Sequence, residues 1–248
     1  MNKNKLQRKL SLVLAVALLA PTVTALPVFA ETPENSVEVN EEAEYSIEDK
    51  FTDKILKEKV RNFLRLKPTI EITNKNILEL TYLDLTYNKE SVQNLNGLEY
   101  AKNLQRLKVD YDLISDYTPI QDLKHLEILE IWQRKNKENP IKDIDSKTLS
   151  SPYIKTLDLK SSEIESLESF KNLKNVDFLR LYETSLKNLE GIGNFTNLEI
   201  LQIRGIYIQD LNAFKDTTLE KTLKSLSIND TKTKIEDASG LKYLQNLE

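Results

Sequence analysis

Apolar residues recur along this chain at one, four and six within a short unit, and the unit itself repeats. The triplets are Leu80, Leu83 and Leu85; Leu104, Leu107 and Val109; Leu126, Leu129 and Ile131; and Ile154, Leu157 and Leu159. They continue with Val176, Leu179 and Leu181; Leu198, Leu201 and Ile203; and Leu223, Leu226 and Ile228. An eighth copy opens at Leu247, one residue before the last, so the sequence reads as stopping inside a repeat. Successive copies are 24, 22, 28, 22, 22, 25 and 24 residues apart. Positions four and six of a copy share one side of an extended strand, because side chains alternate along it. Further apolar residues follow at steps of three, such as Ile114, Tyr117, Ile120 and Leu123, then Ile164, Leu167, Phe170 and Leu173, then Leu186, Leu189, Ile192 and Phe195. That step suits a tight 3₁₀-like return. One such coil has too little interior to fold alone, so the pattern predicts coils stacked on a shared core. An amphipathic helical bundle is the alternative. Short L-x-L doublets at fixed spacing, punctuated by Gly, Asn and Asp, fit strand and turn better.

The segment before the first copy has a different period. Phe51, Ile55, Val60, Phe63 and Leu64 fall at helical spacing and predict one apolar helix face over residues 50–79, covering the open end of the first coil, with Phe63 buried there. Earlier still, Lys3, Lys5, Arg8 and Lys9 precede the apolar run Leu10–Ala20, and Val28-Phe29-Ala30 offers a cleavage site. Residues 1–30 therefore read as a secretory signal. A retained anchor is the other reading, but the run is shorter than the ~20 residues of a span and Pro21 and Pro27 follow it. No later segment is apolar enough to cross a membrane.

The units resemble the internalin-type leucine-rich repeat, with a consensus near L-x-x-L-x-L-x-x-N-x-I-x-D-L-x-P-L. Ile114-Ser115-Asp116-Tyr117-Thr118-Pro119-Ile120 matches its second half, Asn88 stands at its asparagine, and Gly97-Leu98-Glu99-Tyr100 with Asn103-Leu104 resembles the first repeat of that family. Elsewhere Asp112, Ser162, Thr184, Ile206 and Thr231 replace the asparagine, which weakens a polar ladder without removing the coil. The resemblance runs from about Phe51 to the end. It implies an α/β repeat solenoid: an arc with short parallel strands on its concave face, irregular and 3₁₀ returns, and an N-terminal helical cap over residues 50–79, followed by repeats over 80–248. It further implies a bacterial protein, secreted or attached to the cell surface, that holds a host or bacterial surface protein in adhesion or invasion. The alternatives are an envelope-associated binding or signalling module, and the repeat portion of an enzyme whose catalytic domain lies beyond residue 248.

Charge sharpens this picture. The chain carries −4, and the four basic residues of the leader leave −8 after its removal. Eight acids and no base fall within residues 31–49, which predicts a disordered acidic linker. From Lys50 onward 31 basic residues balance 31 acidic ones. Without a basic surplus, nucleic acid is an unsuitable partner. The absence of cysteine excludes disulfides and thiolate metal sites.

Catalytic chemistry finds no foothold. His125, the sole histidine, fills the slot held by Asn103, Asn175, Asn197 and Asn246 in other copies, so it is read as a repeat residue. No calcium loop, phosphate loop or cofactor motif is present. Positions three, five and seven point outward instead. They place Tyr82, Arg106, Ile128, Phe178, Arg180, Trp132, Tyr182 and Arg204 on one face as the expected ligand-binding set. Ile128 is expected near Trp132 on one strand and Phe178 near Tyr182 on another. Aromatic and arginine side chains anchor many protein interfaces, although single exposed aromatics also occur without function. The long third copy adds Gln133–Asn139, read either as a loop beside the site or as a tolerated insertion.

Overall fold

The computed structural model describes residues 42–86, 92–110, 114–132, 144–160, 164–215 and 217–248. The expected signal, most of the acidic linker, Asn88, Asp112, Ser162 and the Gln133–Asn139 insertion lie outside these residues. The packed unit extends from Ala43 to Glu248.

Among the described residues seven strands form one parallel sheet in sequence order. They are β1 (Tyr82–Asp84), β2 (Arg106–Asp110), β3 (Ile128–Trp132), β4 (Thr156–Lys160), β5 (Phe178–Tyr182), β6 (Ile200–Arg204) and β7 (Ser225–Asn229). The register keeps position four of each copy beside position four of the next, from Leu83 through Leu107, Leu129, Leu157, Leu179 and Leu201 to Leu226. The first six of these are buried, and Leu226 in β7 is half-buried. Position one is buried in all seven copies. The steps of three form 3₁₀ turns, among them Thr118–Ile120, Glu168–Phe170 and Ile192–Asn194, whose apolar residues close the other side of the core. This is a leucine-rich-repeat solenoid arc.

The last three strands exit through the same bend. Glu183, Gly205 and Asp230 follow β5, β6 and β7 directly and all have positive φ, at 51°, 68° and 48°. At the next position Thr184 and Ile206 are fully buried, and the Thr184 hydroxyl has no hydrogen-bond partner among the described residues. A consensus asparagine would bond there. On the strand-entry side asparagines do bond across coils: Asn103 and Asn175 each donate to a carbonyl of the preceding coil at 2.9 Å, Leu78 and Pro152 respectively. His125 occupies this slot and is exposed.

The cap differs from its expected form in two ways. It starts earlier than residue 50, because Ile47 is fully buried and donates its N–H to the Ile72 carbonyl at 2.9 Å, with Ser46 bridged to Thr73. The acidic stretch is therefore packed over its last residues, where burial of Ile47 and its bond to a partner segment hold the chain, and Arg61 and Lys57 offset the charge of Glu48. Second, α1 (Lys54–Phe63) buries Leu56 and Val60, whereas Phe63 at its last turn is 40% exposed. Asp53 caps α1 by accepting from the N–H groups of Ile55 and Leu56, and its other oxygen accepts from Gln93 N–H at 2.7 Å. One carboxylate thus starts the helix and ties it to the first coil. Gly97, at φ 100°, closes the same junction: a Cβ there would lie 2.6 Å from the Phe51 ring.

Candidate binding face

The outward columns of the sheet stand in the register expected from alternation. One column runs Tyr82, Arg106, Ile128, Thr156, Phe178, Ile200 and Ser225. A second runs Asp84, Lys108, Glu130, Asp158, Arg180, Gln202 and Ser227. The third runs Asp110, Trp132, Lys160, Tyr182, Arg204 and Asn229.

The apolar members do not merge into one patch. Ile128 and Trp132 are four residues apart on β3, about 13 Å along a strand, and Glu130 stands between them. Arg180 divides Phe178 from Tyr182 on β5 in the same way. Closer neighbours, either on adjacent strands or two residues apart on one strand, pair rings with cations. The Arg106 guanidinium lies 5.4 Å from the centre of the Tyr82 ring, and the Arg180 guanidinium 5.3 Å from that of Phe178. Trp132 receives Lys108 at 3.4 Å and Lys160 at 4.9 Å. Tyr182 receives Lys160 at 4.5 Å and Arg204 at 5.5 Å. The third column is therefore an alternation of ring and cation over four strands. Such contacts hold long cationic side chains over the rings.

Below this layer lie the acids. Asp110, Glu130 and Asp158 are buried, and the central column links charges across strands. Arg106 pairs with Glu130, Arg180 with Asp158 at 2.7 Å, and Lys108 with Asp84 at 3.7 Å. Burial pushes the Asp84 carboxyl up, but the Thr86 hydroxyl and N–H, Lys108 and the Tyr82 hydroxyl outweigh it and hold the group below its ordinary value. Burial and the Asp84 charge push the Tyr82 phenol up. The guanidinium groups reach solvent: the side chains of Arg106, Arg180 and Arg204 are 49%, 44% and 58% exposed.

All eight residues expected to bind ligand thus lie on the outward side, in three columns. Lys108 and Lys160 complete their surroundings. Their signal was present in the sequence, in the side-by-side positions of consecutive copies rather than in the order along the chain. Among the described residues no group of three or more His, Asp or Glu is placed to hold a metal ion, and no helix is long and apolar enough to cross a membrane.

No family model matches the chain, and no curated protein matches it in sequence. Solved structures do. Internalin C2 of Listeria monocytogenes is 28% identical, with 82% of this chain and 85% of that chain covered at a TM-score of 0.60. The chain shares the leucine-rich-repeat fold of the internalins and is similar to them. A leucine-rich-repeat protein of Leptospira interrogans is 23% identical over 71% of this chain and 43% of its own, with a TM-score of 0.52, and shares the fold.

Proposed function

We propose that this internalin-like chain is an exported bacterial binding protein whose concave sheet holds a protein ligand, in adhesion at the cell surface or to a host. The observation that supports this reading most is the ring–cation alternation of Trp132, Lys160, Tyr182 and Arg204 on an outward sheet face. Burying a leucine core requires only that the outward positions be polar. Rings held in order by cations instead form a preorganised surface, and ordered side chains lose less entropy on docking. Tyr82, Arg106, Ile128, Phe178 and Arg180 extend the same surface toward the strand entry. Binding, rather than catalysis, is what this surface can perform.

The decisive experiment is titration of a partner isolated by capture on the mature protein. Trp132→Ala should weaken that partner by ~2 kcal/mol or more, the mark of an interface anchor, while the melting curve stays close to wild type. Equal affinity of two folded proteins would move the ligand to another surface. Export is tested separately by intact mass. The secreted protein should begin at Glu31, and retention of Met1–Ala30 would contradict the signal reading.

A further inference from the structure

We propose that the ligand of the concave face presents two carboxylates three residues apart on a polyproline-II segment, laid across the strands so that one acid meets Lys160 and the other Arg204. The inference rests on the concave-face reading above and names the chemistry of that ligand.

Four of the five cations on the face have an acid of their own. Lys108 has Asp84, Arg106 has Glu130, Arg180 has Asp158 and Arg204 has Asp230. Lys160 is different: among the described residues its ammonium meets the rings of Trp132 and Tyr182 and forms no salt bridge. A lysine head carries three donors, which ring faces satisfy only in part. The acids of the face cannot supply the missing group, because Glu130 and Asp158 are buried and engaged by arginines. An arriving ligand meets cations and rings, with most of the acids beneath them, so charge complementarity selects an acidic one. Arg204 is available to it as well. Its pairing with Asp230 leaves the two side chains 58% and 69% exposed, and so open a pair is readily exchanged for a ligand carboxylate.

The spacing follows from the sheet. Lys160, Tyr182 and Arg204 are paired in register on β4, β5 and β6. Two steps between strands separate the cations by about 9.6 Å. A polyproline-II helix advances about 3.1 Å per residue and turns once in three, so residues i and i+3 point the same way about 9.3 Å apart. An ordinary β-strand places i and i+3 on opposite sides, and i and i+2 only about 6.8 Å apart. Acid-x-x-acid in a proline-rich segment is thus the pattern that spans the two cations, leaving the Tyr182 ring under the residues between.

The test uses the capped peptide Pro-Glu-Pro-Pro-Glu-Pro, titrated into ¹⁵N-labelled mature protein and followed by amide and indole shifts. Saturable shifts should appear at Trp132, Lys160, Tyr182 and Arg204. Binding should weaken at least tenfold when both glutamates become glutamine, when they are moved to i and i+2, or when the protein carries Lys160→Gln. Arg204→Gln should weaken it less. No shift at millimolar peptide, or equal binding by the glutamine peptide or by Lys160→Gln, would overturn the inference. The captured partner separates the two readings. A partner weakened by Trp132→Ala, with the peptide silent and Lys160→Gln neutral, leaves the concave site standing and removes the carboxylate pair. A partner indifferent to both variants removes the site itself.

Discussion

Within the repeats every inward side chain has counterparts one coil away. Leu107, Leu129, Leu157, Leu179 and Leu201 stand in one register, all buried, each packed between copies of itself. In the cap, Ile47, Leu56, Val60 and Ile72 are equally buried but occupy positions that occur once. Their arrangement is held by single polar contacts. Asp53 joins α1 to Gln93, and Glu48 accepts from Ile72 N–H and pairs with Arg61 and Lys57. The repeats are stabilised by a rule applied many times, whereas the cap depends on a few contacts without substitutes. Loss in the first region is shared by neighbouring coils; loss in the second stays at one end.

The largest test of this contrast sets two leucines of equal burial against each other. Leu179→Ala in β5 and Leu56→Ala in α1 should each cost ~2–5 kcal/mol, as other fully buried leucines do. Their reach should differ. Hydrogen exchange should rise in β4, β5 and β6 together for Leu179→Ala, but only in the cap and the first coil for Leu56→Ala. Uniform acceleration along the whole chain in both variants would mean that cap and repeats unfold as one unit.

A smaller effect comes from acid. Burial pushes the Glu48 carboxyl up, while the Ile72 N–H, Arg61 and Lys57 outweigh it and hold the group below the ordinary value of 4.5. A carboxyl lowered on folding stabilises the folded state fully above its unfolded pKa, and that contribution is lost as pH falls through the lowered folded value. Glu48→Gln should therefore destabilise the cap at neutral pH and make little difference well below the ordinary carboxylate range. Denaturation of both proteins from pH 7 to pH 2, read by a cap-specific probe, measures this. Parallel curves over that range would show that Glu48 contributes nothing to the pH dependence.

The smallest effect is expected at Phe63. Its exposure places Phe63→Ala within about 1 kcal/mol of wild type, in place of the several kcal/mol that a buried phenylalanine would cost. A large shift in the denaturation midpoint would mean that the ring is covered in solution.

Phe63 also shows where sequence reading ran out. It shares the helical direction of Leu56, seven residues earlier, and periodicity reports direction around an axis. It does not report how far along that axis a neighbouring surface continues, and Phe63 is the last residue of α1. The coils escaped this ambiguity because each position is sampled seven times, so the inward and outward columns were legible; the first strand is the exception, ending at Asp84 and leaving Thr86 buried beyond it. Ile47 was hidden by the opposite problem: acids surround it in the chain, and only its bond to Ile72 shows that it is packed. On the outward face of the sheet the columns could be read, but not the ring–cation pairs. Lys108 approaches Trp132, a residue 24 positions later, through strand pairing that reading along the chain does not reveal.

The common register of inward and outward columns also bears on how such a gene can change. Residues 176–197 form one 22-residue unit between Val176 and Leu198, two equivalent positions. Excising that unit in frame would set Leu201 beside Leu157 and keep the leucine column continuous. On the other side it would remove Tyr182 and bring Arg204 next to Lys160. Recombination by whole units therefore redraws the outward surface in one step while the interior is spliced without a seam. Point substitution can alter one column position at a time; unit exchange shifts the spacing between them.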